Sequence, residues 1–128
     1  EAAIKLESMA RNSQGHGFSD YRFEICGDII NWKPAMTGIL DDIQKGKDIK
    51  YIAESFFNSL GNLIFQISQK AGVRDLAFSG GVFQNVALVN TLLDQKPVDT
   101  RLWFHKSLSP NDENIPFGQI AYYDRYVK

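Results

Sequence analysis

Leu76-Ala77-Phe78-Ser79-Gly80-Gly81-Val82-Phe83-Gln84-Asn85 is the stretch on which the reading of this chain turns. A short apolar run ends at Phe78, two glycines follow, and a helix-like apolar pattern starts at Val82. Glycine permits backbone angles and close approaches that a side chain would block. The start of a helix offers unpaired N–H groups and partial positive charge, which suits a phosphate or another anion. Asn85, one turn into the expected helix, carries an amide that both donates and accepts hydrogen bonds toward a base or sugar. On the residues alone, two readings stay open: a tight turn between strand and helix, or a cradle for an anion. The segment is not a Walker A loop, because no Gly-Lys-Ser/Thr follows, and the dinucleotide fingerprint lacks its third glycine.

Upstream, Ile49, Ile52, Phe56, Leu60, Leu63 and Ile67 recur at helical spacing and predict one long helix, with Asp48 near its start and Gly72 at its end. Downstream, a helix is expected from about Val82 to Leu93. Pro97 breaks it, and Leu102-Trp103-Phe104-His105 reads as the next strand. After Leu108-Ser109-Pro110-Asn111-Asp112 a last helix begins with Pro116 in its first turn, and Phe117, Ile120, Ala121 and Tyr123 are expected to face a core. This alternation predicts parallel strands covered by helices.

The first half adds an antiparallel portion. Residues 1–11 read as the end of a helix with Ala2, Ala3, Leu6, Met9 and Ala10 on one side, closed by Gly15 and Gly17. Tyr21 to Cys26 alternate as a strand with Tyr21, Phe23 and Ile25 on one face. Gly27-Asp28 turns the chain, and Ile29 to Trp32 return. Pro34 is expected to stop that strand, and Ala35 to Gln44 to form a short helix closed by Gly46. The fold class expected is α/β, with a mixed sheet and helices.

Composition narrows the function. A chain of 128 residues with 44% apolar and 23% charged residues is one ordinary globular domain, or a piece of one. A net charge of −1 with dispersed basic residues gives no electrostatic case for nucleic acid or an anionic membrane. One cysteine, Cys26, excludes an internal disulfide and suits a reducing compartment, so a cytoplasmic location is expected. No apolar run approaches the ~20 residues that span a bilayer, and no secretory signal is visible at the start. The first residue is Glu rather than Met, which points to a piece of a longer chain.

A second segment, Ser109-Pro110-Asn111-Asp112-Glu113-Asn114, also follows a strand and precedes a helix. Asp112 suits an oxygen donor for a metal ion that also touches nucleotide phosphates, but the residues alone favour the other reading, in which Asn111 or Asp112 is a helix cap. A single carboxylate does not hold a catalytic metal alone. The other chemistry-bearing residues are poorer candidates. His16 and His105 are not spaced as a metal pair, and each reads as a surface or satisfied polar residue. Cys26 lacks a nearby base, Asp41-Asp42 reads as a solvated helix face, and Tyr122, Tyr123 and Tyr126 read as packing.

Taken together, the two segments carry a resemblance. Leu76 to Asn85 resembles the "LSGGVFQN" segment of the HypF carbamoyltransferases, the hydrogenase-maturation family. Ser109-Pro110-Asn111-Asp112-Glu113-Asn114-Ile115-Pro116-Phe117-Gly118-Gln119 resembles that family's "PPNDGGIALGQ", and Glu1-Ala2-Ala3-Ile4-Lys5-Leu6-Glu7 is similar to its "GQAAMELE". The likeness covers nearly the whole chain. It implies that residues 1–128 are the C-terminal lobe of a carbamoyltransferase domain. The implied fold is ribonuclease-H-like, of the actin-like ATPase superfamily.

The resemblance also implies a function. The family uses ATP to turn carbamoyl phosphate into carbamoyl adenylate. It passes the carbamoyl group to the C-terminal cysteine of the partner HypE, for the cyanide ligand of the nickel–iron hydrogenase centre. Carried over to matching positions, Gly80 and Gly81, with Ser79 beside them, line the nucleotide site, Asn85 contacts the nucleoside, and Asp112 helps bind a divalent metal, magnesium or an iron- or zinc-like ion. Glu113 and Asn114 depart from the family's Gly-Gly, and Glu1 stands where the family has glutamine. The family's metal-binding histidines match neither His16 nor His105. The isolated chain is therefore expected to be inactive, and to dimerise through surface that would otherwise pack on the other lobe. The alternatives weighed are a tRNA-threonylcarbamoyl or O-carbamoyl transferase lobe and a non-catalytic interaction module.

Overall fold

The computed structural model describes residues 2–10 and 17–127, and the side chains of Ala2 and Ala3, Gly15, His16 and the expected end of the first helix at residue 11 lie outside the described residues. The elements run α1 (Ala2–Ala10), β1 (Glu24–Cys26), β2 (Ile29–Asn31), α2 (Lys33–Gln44), α3 (Ile49–Ala71), β3 (Asp75–Ala77), α4 (Val86–Gln95), β4 (Arg101–Trp103) and α5 (Ile115–Tyr126). Short 3-10 turns at Gly81–Gln84 and Asp112–Asn114 precede α4 and α5. No helix among the described residues is long and apolar enough to cross a membrane.

The long helix forms as its local chemistry dictates. The Asp48 carboxylate accepts the Lys50 N–H at 2.8 Å and satisfies one of the unpaired donors of the first turn. Gly72, at φ +66°, closes the helix in the left-handed region. Along the expected stripe Ile52 and Leu63 are buried, and Leu60 and Phe56 pack against the two apolar clusters, while Ile49 and Ile67 at its ends are exposed. One cluster gathers Phe57, Phe78, Ala87, Leu88 and Leu92; the other gathers Tyr21, Ala35 and Ile52. The first of these holds α3, α4 and the β3–β4 pair together, and so fixes where the loops after β3 and β4 emerge.

The antiparallel and parallel portions both form, but not as the one mixed sheet expected: no described strand of one pairs with a strand of the other, and they are two separate two-stranded sheets. β1 pairs with β2, Glu24 opposite Asn31, and β3 runs parallel to β4, Leu76 beside Leu102. β1 is shorter than its alternation suggests, because the backbone upstream is bonded elsewhere: the N–H of Tyr21 donates to Ser59 Oγ on α3 at 2.8 Å. Tyr21 is buried there. Pro34 does not merely stop β2. It sits in the first turn of α2, where its missing N–H has no partner to lose, and α2 begins at Lys33.

Three further expectations are corrected by the tertiary structure. Asp42 is not on a solvated face. It is 5% exposed, and its Oδ2 accepts from Ser19 Oγ at 2.7 Å and Tyr21 Oη at 2.9 Å, while Lys47 pairs with Oδ1 at 3.1 Å. The helix after the glycines does not start at once: a 3-10 turn intervenes and Asn85 is the N-cap of α4, not a residue one turn inside it. Finally, α5 buries nothing among the described residues; Phe117 is 60% and Ile120 70% exposed, so its apolar face meets no core.

Candidate functional site

The site lies at the C-terminal ends of β3 and β4, where parallel strands of α/β folds deliver their loops together. The ladder continues past both strands, with the Phe78 N–H donating to the Trp103 carbonyl at 2.9 Å. Phe78 and Phe104 stack at 4.9 Å, and Phe83 tilts against Phe78 at 4.8 Å. This aromatic floor carries the two loops. Gly80 has φ +101° and ψ 156°, a conformation essentially restricted to glycine. Its N–H donates to the carbonyl of Pro110 at 2.5 Å, and Gln84 Nε2 donates to Ser109 Oγ at 2.9 Å. The two segments singled out in the sequence are therefore in direct contact, on the same side of the fold.

Within the first loop the roles differ from those expected. The Gly80 N–H is occupied by Pro110. The first bond inside the 3-10 turn runs from the Phe83 N–H to the Gly80 carbonyl, so the N–H groups of Gly81 and Val82 precede it. At Gly81 a side chain would meet nothing within 4 Å, which puts that residue against open space. Asn85 uses Oδ1 to accept the Leu88 N–H at 3.0 Å. The Val86 N–H goes to Glu7 Oε1 of α1 at 2.9 Å. The start of α4 is thus satisfied by an amide oxygen and a carboxylate from the chain itself. Those donors are taken, while the N–H groups of Gly81 and Val82 belong to the exposed glycine loop.

In the second loop Asn111 is the cap: its Oδ1 accepts the Glu113 N–H at 3.2 Å. Asp112 is exposed, and its carboxylate makes no hydrogen bond or ion pair among the described residues. No group of three or more His, Cys, Asp or Glu that could hold a metal ion occurs among the described residues. A single outward carboxylate fits a magnesium ion, which keeps several waters and takes its remaining oxygens from phosphates. It does not by itself fit an iron- or zinc-like centre, which needs three or more protein donors.

The sequence alone reads His105 as a surface or satisfied polar residue and gives Asn114, though in the second segment, no role. His105 Nε2 lies 3.3 Å from Ser79 Oγ and its Nδ1 3.4 Å from Asn114 Nδ2. Strand register is the signal that finds it: Ala77 pairs with Trp103, so two residues further on Ser79 stands beside His105. A cavity of ≈220 Å³ opens under the loops, lined in part by Phe83, Gln84, Phe104 and His105. The larger cavity, ≈590 Å³, lies around Gly72 and Thr100 and contains none of the loop residues. Its size does not make it the site, because the converging polar groups are elsewhere. Cys26 is exposed. Tyr122 and Tyr126 pack on each other at 5.1 Å within α5.

The family model described as "Carbamoyltransferase, Kae1-like Domain, second subdomain" matches residues 1–119. Carbamoyltransferase HypF of Synechocystis sp. (strain ATCC 27184 / PCC 6803 / Kazusa) is 34% identical over 93 residues, 71% of this chain and 12% of that protein. The crystal structure of full-length HypF in its phosphate- and nucleotide-bound form superposes with a TM-score of 0.83 at 24% identity, over 99% of this chain and 21% of that one. HypF of T. kodakarensis gives 0.78 at 23% identity, over 99% and 17%. The activator of 2-hydroxyisocaproyl-CoA dehydratase from Clostridium difficile with bound ADPNP gives 0.63 at 17% identity, over 100% and 46%. The fold is thus the α/β, Kae1-like (ribonuclease-H-like) one shared with the HypF structures. The chain spans about an eighth of the curated relative and about a fifth of the first of these structures.

Proposed function

This chain belongs to the HypF carbamoyltransferase family, and we propose that it is the nucleotide-binding C-terminal lobe of an ATP-dependent carbamoyltransferase. The observation that carries the reading is the Gly80–Pro110 backbone bond, which brings a glycine-lined opening and the free carboxylate loop to one place. In this reading Ser79, Gly80 and Gly81 form the edge against which the phosphates lie, with the N–H groups of Gly81 and Val82 and the Ser79 hydroxyl as donors. Asn85 caps α4 with its oxygen and offers Nδ2 to the nucleoside.

Asp112 is the protein's ligand for a divalent cation, magnesium by the donor set. A bound cation of this kind neutralises charge on the phosphates and orients them. The chain's own contribution is positional and electrostatic: preformed donors and one carboxylate held by two tied loops. No nucleophile or general base is placed among these residues. The reaction of the longer protein, in this proposal, forms carbamoyl adenylate from carbamoyl phosphate and ATP and carbamoylates the C-terminal cysteine of HypE, for [NiFe]-hydrogenase cyanide synthesis.

The chain alone is expected to show no turnover with ATP and carbamoyl phosphate. Calorimetry with ATP and magnesium on the full-length parent, wild type against Asn85→Ala, tests the binding role. A loss of affinity supports it; unchanged binding sinks the placement of the nucleoside. The exposed apolar face of α5 supports a further role in packing, either on the rest of a longer chain or in a homodimer.

A further inference from the structure

We propose that the free edge of β3 is a docking site for an extended strand from outside residues 1–128, one that runs parallel to β3 and ends beside Ser79 and Gly80. The inference rests on the nucleotide reading above for its purpose, though not for its geometry.

The hydrogen bonds of the β3–β4 pair leave that edge open. The Arg101 N–H donates to the Arg74 carbonyl at 2.7 Å, and the Phe78 N–H to the Trp103 carbonyl at 2.9 Å. Successive residues of a strand turn their backbone groups to opposite sides of the ladder. Arg74, Leu76 and Phe78 therefore face β4, and Asp75 and Ala77 face away from it. Nothing among the described residues pairs with β3 on that side, and Asp75, Ala77 and Ser79 are exposed. A row of unpaired N–H and C=O groups is satisfied as a set by another extended backbone, which fixes the chemistry of the occupant.

The edge is also unguarded. Edges that stay in solvent carry an outward charge, a proline or a bulge. β3 has no proline, and its register with β4 runs without a bulge. Its one charge, Asp75, is turned over β4, where Oδ2 accepts from Arg101 Nη2 at 2.7 Å and Oδ1 from Trp103 Nε1 at 3.0 Å. Ala77 offers no bulk to hold a strand off. The outer edge of β4, by contrast, runs on into Lys106, a residue type that guards edges. Parallel strands, moreover, occur in larger sheets covered on both faces rather than as bare pairs.

A second copy does not fit the edge in the same way. Across a twofold axis β3 would meet itself antiparallel, with the two glycine loops at opposite ends. A parallel strand instead delivers its C-terminal end where β3 and β4 deliver theirs. Asp112 leaves most of a cation's coordination to other groups, and the added strand brings its side chains to that place. Residues 1–128 match about a fifth of full-length HypF, so the longer protein has ample chain to supply it.

Amide exchange reads the edge directly. In the full-length parent, without nucleotide, the Ala77 amide should exchange at least about a hundred-fold more slowly than in the chain of residues 1–128. Phe78, bonded to β4 in both, is the internal reference. An Ala77 amide that exchanges as fast in the parent as in the chain overturns the proposal. So does protection that appears in the chain alone as its concentration rises, because a second copy then occupies the edge. Ala77→Pro removes the outward N–H, a change tolerated where an edge faces solvent. It should leave the chain folded and lower the magnesium–ATP affinity of the parent at least about ten-fold. A parent variant that binds as wild type overturns the proposal as well. Exchange is read without nucleotide, so a parent that binds no ATP counts against the function proposed above and leaves this result legible.

Discussion

The backbone N–H of Gly80 donates to the carbonyl oxygen of Pro110 at 2.5 Å, which joins the loop after β3 to the loop after β4. Neither residue brings charge or reactivity to the site. Their bond sets the separation between the residues proposed to face the nucleotide, Ser79 and Gly81 on one side and Asp112 on the other. It is made possible by a backbone angle, φ +101°, at Gly80. The consequences for substitution are unequal along a Gly-Gly pair that looks uniform in the sequence.

Gly80→Ala forces a side chain into a backbone region that L residues avoid, at a cost on the order of 1–3 kcal/mol, or it breaks the bond to Pro110. Gly81→Ala meets no neighbour within 4 Å and has no positive φ, so it should leave stability nearly unchanged. Urea unfolding of the two variants should separate them by about 1 kcal/mol or more. Equal stabilities would mean that the Gly80 geometry is not required by the fold.

Asp112→Ala removes an exposed carboxylate that has no partner among the described residues, so stability should change by less than about 0.5 kcal/mol. In the full-length parent it should abolish the magnesium-dependent part of ATP binding. Calorimetry with and without the cation distinguishes the two effects. A substantial fall in melting temperature with unchanged cation dependence would make Asp112 a structural residue.

Asp42 is the buried group on which pH should act. The Ser19 hydroxyl first, then Lys47 and Tyr21, hold its carboxyl below the ordinary carboxylate range, against the opposing effect of burial. A depressed folded-state value means that the unfolded chain takes up the proton more readily. The stabilisation is therefore present above the unfolded carboxyl pKa of about 3.9 and is lost as pH falls through the lower folded value. Asp42→Asn should cost on the order of 1–3 kcal/mol at neutral pH, because buried donors on Ser19 and Tyr21 lose a charged acceptor. It should also flatten the acid limb of the stability profile. An acid limb identical to wild type would show that another carboxylate governs it.

The face of α5 should govern self-association. Phe117 and Ile120 are 60% and 70% exposed and face no core among the described residues. Sedimentation of the chain over a concentration series should show dimerisation, and the double change Phe117→Ser and Ile120→Ser should shift it toward monomer with little loss of helix signal. Dimerisation that survives the double change would place the contact elsewhere.

What could be read from the sequence was what a few neighbouring residues decide among themselves. The stripe from Ile49 to Ile67, Asp48 before it and Gly72 after it specify a capped helix, because periodicity and capping bonds act within one or two turns. The run Leu76-Ala77-Phe78 followed by two glycines marks a strand and a loop for the same reason, and the HypF likeness rests on such segments. Groups far apart in the chain acquired their roles only on folding. Parallel register placed Ser79 beside His105, and the polar face of α3 drew Tyr21 off its strand. Asp42 was buried by a hydroxyl 23 residues away and another 21 residues away. Asn85 became a cap because a 3-10 turn delayed α4, and the α5 face meets no core among the described residues. Burial and partnership depend on which surfaces meet, and strand pairing and helix packing settle that together.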